Sequence, residues 1–116
     1  MSMKGWVGID FDGTLATYEK GMVPALGQPI PQMVERVQKW LAKGIEVRIL
    51  TARASHEEFT SEQIHAMQDW CERHIGVVLK ITCIKDYDMI ELWDDRVVQV
   101  ETNTGVVLGK SRMGWK

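Results

Sequence analysis

Apolar residues along the chain change their spacing several times, and each change marks an element. Residues 6–9 form a short apolar run that ends on Asp10, Asp12, Gly13 and Thr14, the pattern of a buried strand carrying carboxylates to its own C-terminal tip. Residues 16–30 contain Gly21, Pro24, Gly27 and Pro29 and no sustained period, which predicts a loop or small hairpin long enough to act as a flap. Met33, Val34, Val37, Trp40 and Leu41 then recur at helical spacing, with Pro31 in the first turn and Gly44 just past the end. A strand over residues 45–50 follows, apolar at Val47, Ile49 and Leu50, polar at Arg48, with Thr51 at its tip.

The second helix has two competing start signals, capping boxes of Ser55 with Glu58 and of Thr60 with Gln63. Ile64, Met67, Trp70, Cys71 and Ile75 form its apolar stripe, and Gly76 stops it. Strand candidates over residues 81–84, ending at Lys85, and 90–93, ending at Asp94 and Asp95, come next. The link between them is too short for the helical crossover that adjacent parallel strands require, so the segment before Lys85 is expected to be an edge piece or an irregular pair. Residues 97–100 and 106–108 flank Asn103, Thr104 and Gly105 as a small C-terminal β-hairpin, and residues 111–116 read as a loosely held tail. The alternation of strand and helix predicts an α/β fold, a Rossmann-like three-layer sandwich with a mostly parallel central sheet. There is no internal repeat.

Composition narrows this picture without redirecting it. A chain of 116 residues, 45% hydrophobic and 26% charged, builds one core, so residues 1–116 are expected to form a single domain. It shows no bilayer-length apolar run and no signal-peptide core before the first strand, and the expected location is the cytoplasm. Cys71 and Cys83 lack metal or redox spacing and are expected to be free thiols. The net charge of -2 comes with no basic stripe, so a nucleic-acid surface is not indicated, whereas a nucleotide-sized ligand remains compatible.

Candidate chemistry gathers at the strand tips: Asp10 and Asp12, Thr51, Lys85, then Asp94 and Asp95. In a parallel sheet these tips share one edge, and residues distant in sequence can meet there. Two carboxylates about 4 Å apart repel by about 4 kcal/mol at an effective dielectric near 20. One lysine offsets only part of that. A divalent cation with oxygen ligands is the natural partner, and Mg²⁺ suits a site completed by phosphate oxygens.

Asp10-Phe11-Asp12-Gly13-Thr14 resembles the DxDGT signature of the haloacid dehalogenase (HAD) superfamily of phosphatases and phosphotransferases, and Thr51, Lys85 and Asp94-Asp95 follow in the order of that superfamily's later motifs. The likeness runs over residues 6–95 and includes no insertion large enough to be a cap domain. It implies a phosphomonoester phosphatase or phosphotransferase in which Asp10 is the nucleophile and Asp12 the general acid and base. Thr51, Lys85 and the backbone N–H groups near Phe11 and Gly13 would then grip the phosphoryl oxygens. Mg²⁺ would be held by Asp10, the Asp12 carbonyl, Asp94 and Asp95, the last directly or through water.

By the same likeness, capless members close the site by oligomerisation or by the bulk of the substrate, which leaves a homo-oligomer open here. The flap residues Tyr18, Lys20 and Met22 are placed to touch the substrate, and Ala52 and Arg53 follow the phosphate-gripping threonine, with Arg53 able to reach a second anionic group. Sugar phosphates, nucleotides and phosphorylated macromolecules are not distinguished. Plainer readings stand beside these. Thr51 also suits the amides of the next helix, Lys80 competes with Lys85, Asp94 and Asp95 suit a turn beside Arg96, Asp86 and Asp88 read as turn residues, and His56, His65 and His74 as surface groups. Two other functions compete with a phosphatase: a catalytically silent module that keeps the fold and the metal, and a receiver-type signalling domain, against which the motif order argues.

Overall fold

A computed structural model describes residues 4–55 and 60–114. His56, Glu58 of the Ser55–Glu58 capping box and the last two residues of the tail lie outside the described residues. Four strands, β1 (Trp6–Ile9), β2 (Glu46–Leu50), β3 (Lys80–Thr82) and β4 (Met89–Trp93), form one sheet in the order β3-β2-β1-β4. Every pairing is parallel, with Val7 opposite Val47 and Ile9 opposite both Ile49 and Trp93. The Rossmann-like α/β expectation holds, and no element intervenes between β1 and the first helix, so no cap is evident among the described residues.

Helix α1 (Pro31–Ala42) begins on its proline and ends as Gly44 turns at φ 80°. Helix α2 is described over Thr60–His74. Both helices pack on one face of the sheet, where Ile9, Val47 and Ile49 meet Met33 and Val37 of α1 and Met67 and Cys71 of α2. Alternation along a strand sends Trp6 and Arg48 to the opposite face. The third layer of the expected three-layer sandwich is not helical, since no described helix covers that face. A strap, residues 83–88, crosses it instead: the Trp6 indole donates to Asp86 at 2.8 Å, Arg48 lies 4.6 Å over the Trp6 ring, and the Trp6 amide donates to the Asp88 carbonyl. Asp86 also accepts from the Asp88 amide at 2.9 Å, the turn role expected of this pair.

The strap resolves the short-crossover difficulty. β3 and β4 are not neighbours; they are the two edges of the sheet, and the chain returns over the face opposite the helices, as a right-handed connection in the reverse direction must. Gly8 makes the crossing compact, because a Cβ there would lie 3.1 Å from the Trp6 ring and 3.3 Å from Leu92. The flap is a small hairpin tied by Thr17 to Gln28 at 2.8 Å and by Ile30 to Leu15 at 2.9 Å. The C-terminal hairpin is present as a single bridge, Val100 to Val107, flanked by two further backbone bonds. No described helix is long and apolar enough to cross a membrane.

Candidate active site

Asp10 follows β1 and Asp94 and Asp95 follow β4, so parallel pairing of these two strands sets the three carboxylates side by side. The Asp10 amide donates to the Trp93 carbonyl at 2.8 Å and locks the two tips together. Oxygen atoms of Asp10, Asp94 and Asp95 all lie within 4.8 Å of one another. Burial pushes the Asp10 carboxyl up to about 7, with Asp94 and Asp95 adding to the rise and the Phe11 backbone N–H opposing it. Gly13 closes the turn at φ 85°, and a Cβ on it would sit 2.7 Å from an Asp95 oxygen. Thr14 then fastens Asp95, accepting from its amide at 3.1 Å and donating to its carboxylate at 3.3 Å. Arg112, from the expected tail, donates to the other Asp95 oxygen at 2.9 Å.

Asp12 points elsewhere. Its two oxygens accept from Nε and Nη2 of Arg53, each at 2.7 Å, in a bidentate pair. Arg53 is buried, stacks 5.9 Å from the Phe11 ring, and fills its remaining donors with the Pro24 and Ala25 carbonyls and Gln63. The expectation that Arg53 reaches a second anionic group of a substrate is therefore corrected: its five donors are all engaged within the protein. Gln63, read as a capping residue, is buried and has its amide oxygen on Arg53 at 3.0 Å. Asp12 likewise contributes no carboxylate to the Asp10 cluster, which leaves its backbone carbonyl as the atom it could offer a metal.

Thr51 is buried at the tip of β2, and its hydroxyl accepts from the Arg53 amide at 3.2 Å, so it does hold the start of the next turn. With Asp10, Asp12, Asp94 and Asp95 it lines a cavity of about 970 Å³. Tyr18, Val23 and Pro24 of the flap, Ala52 and Arg96 contribute further walls. Phe11 itself is fully buried against Trp70, ring centroids 4.9 Å apart, so its contribution to the site is its amide.

Lys85 does not join the cluster. The third strand ends at Thr82 rather than residue 84, so Lys85 stands three residues past the tip, exposed on the strap as it turns down over the opposite face, and is not among the residues lining the cavity. Lys80, its rival, is exposed within β3 and is also off the lining. The strap residue that does line the cavity is Cys83. Sequence reasoning missed Cys83, Gln63 and Arg112; Thr14 stood in the first motif, but nothing in residue spacing pointed to the other three.

Three carboxylates converging on one point suit a hard divalent cation, which would neutralise the Asp94 and Asp95 charge that adds to the burial-driven rise at Asp10. No protein-family model matches the chain, and no curated protein does. A solved structure of a conserved protein coded by a locus from Bacteroides thetaiotaomicron is similar to it, with 22% identity, a TM-score of 0.57, and coverage of 83% of this chain and 79% of that one. At that identity the likeness supports the fold alone.

Proposed function

We propose that the chain is a Mg²⁺-dependent phosphomonoester phosphatase of the HAD type, acting in the cytoplasm on a small phosphorylated molecule through an aspartyl-phosphate on Asp10. The observation that carries this reading is the division of labour at the β1 tip. Asp10 converges with Asp94 and Asp95, whereas Asp12, two residues on, is held apart by Arg53. Two carboxylates with different partners can take different roles.

Asp10, Asp94, Asp95 and the Asp12 carbonyl would hold Mg²⁺, which when bound neutralises the crowded carboxylates and the phosphoryl charge. The Asp10 carboxylate attacks phosphorus, and the bond to the ester oxygen breaks. Asp12, protonated at this stage, gives its proton to the departing oxygen. A water then attacks the aspartyl-phosphate, Asp12 takes its proton, and inorganic phosphate leaves with Asp10 restored. The Phe11 amide and Thr51 hydroxyl would bond the phosphoryl oxygens.

A p-nitrophenyl phosphate assay with and without Mg²⁺ tests this directly. Turnover should require the ion and fall at least about 10³-fold in Asp10→Asn; equal rates in the two proteins would overturn it. The position of Lys85 outside the cavity favours a second reading, a silent module that binds metal and phosphate without turnover. Mg²⁺ and phosphate binding with no hydrolysis across a broad ester panel would select it.

A further inference from the structure

Arg53 is tied to four parts of the fold at once. Through its two bonds to Asp12 it fixes both the position and the plane of that carboxylate, because a fork of parallel N–H bonds at 2.7 Å permits neither rotation nor sliding. The Pro24 and Ala25 carbonyls, at 3.0 and 2.9 Å, bring in the flap, and Gln63 at 3.0 Å brings in α2. Its own amide is hooked to the Thr51 hydroxyl at the β2 tip. The guanidinium has no donor left for a ligand, although the residue borders the cavity. Each Asp12 oxygen keeps a second lone pair, on which a proton can sit.

We infer that Arg53 is a positioning residue: it aims Asp12 at the oxygen leaving phosphorus and fixes the flap beside it, and it does not bind substrate charge. The inference rests on the phosphatase reading. In the step concerned, an Asp10 oxygen forms the new bond to phosphorus, the phosphorus–ester oxygen bond breaks with its electron pair going to that oxygen, and the proton on Asp12 moves to it. Alkyl esters need that proton because an alkoxide is a poor leaving group. A nitrophenolate leaves without it. The site is thereby suited to phosphate esters of alcohols, whose cleavage depends on an aimed acid.

The test compares Arg53→Lys with wild type on an alkyl phosphate and on p-nitrophenyl phosphate, both with saturating Mg²⁺. The alkyl rate should fall by about 10²-fold or more and the nitrophenyl rate by less than about tenfold, the difference general acid catalysis makes. In an Asp12→Asn background the same change should add no further loss on the alkyl ester. Equal losses on both esters, or a full additional loss in that background, would overturn the inference. If Arg53→Lys does not fold, Gln63→Leu carries the same test, with a loss of about three- to tenfold confined to the alkyl ester; an equal loss on both, or none, overturns it. A wild type inert toward both esters would overturn the phosphatase reading and this inference with it.

Discussion

The two halves of the cavity differ in charge balance. Between β1 and β4, Asp10, Asp94 and Asp95 crowd three carboxylates together, and the Asp10 carboxyl is pushed up to about 7. Between β2 and the flap, Asp12, Arg53, Gln63 and two carbonyls form a closed set in which every donor of the guanidinium has an acceptor. One half is left with a demand that only something from outside can meet. The other is complete as it stands. A crowded half suits a cation, and a satisfied half holds its members still; the proposed chemistry, which uses both a cation and an aimed carboxylate, gives two carboxylates of one strand tip different partners.

Breaking the satisfied half should have the largest effect on stability. Arg53→Ala leaves a carboxylate, a buried amide and two carbonyls without their partner, and should destabilise the protein by about 2–4 kcal/mol. For a domain of this size a thermal melt should move down by roughly 10 °C. An unchanged melting temperature would show that water replaces the guanidinium at no cost.

The crowded half should respond in the other direction. Because the folded-state value for Asp10 is raised from 3.8 to about 7, the folded protein holds this proton more tightly than the unfolded chain does. The penalty is absent below about pH 4, grows as the unfolded chain ionises, and is complete above about pH 7. The full shift corresponds to on the order of 4 kcal/mol, and the water that Asp10 still meets reduces this to about 1–2 kcal/mol. Asp10→Asn should therefore match the metal-free wild type near pH 4 and exceed it by about that amount at pH 8, in urea unfolding with a chelator present. A difference independent of pH would contradict this account of the crowding.

How much of this could be read from residues alone follows the same divide. Apolar spacing located β1, β2, α1 and the C-terminal end of α2 within a residue or two, since burial on one face dictates that spacing. Asp10, Asp94 and Asp95 were legible because each stands directly after an apolar run, and parallel pairing does the rest. Lys85 was misplaced because β3 ends two residues early, and nothing in Ile-Thr-Cys-Ile marks where pairing stops. The strand order was hidden as well, for periodicity reports which face is buried and not which strand lies beside which. Arg53 was noticed but aimed outward; its partners come from the flap and α2, and only the folded chain brings them within reach.

The smallest effect should come from Arg112, which touches the crowded half from the C-terminal segment. Its side chain is 64% exposed, so its ion pair with Asp95 adds under about 0.5 kcal/mol to stability, and Arg112→Ala should leave the melting temperature almost unchanged. Its influence on a bound cation is another matter. The guanidinium sits 2.9 Å from an oxygen of Asp95, a member of the three-carboxylate cluster, where it repels any incoming positive charge. Removing it should tighten Mg²⁺ binding by about two- to threefold in calorimetric titration at low salt, the size expected of one screened surface charge. That gain should shrink as salt is added and vanish in Asp95→Asn, where the pair no longer exists. An affinity that falls in Arg112→Ala would mean that the arginine serves to orient Asp95 rather than to compete for it.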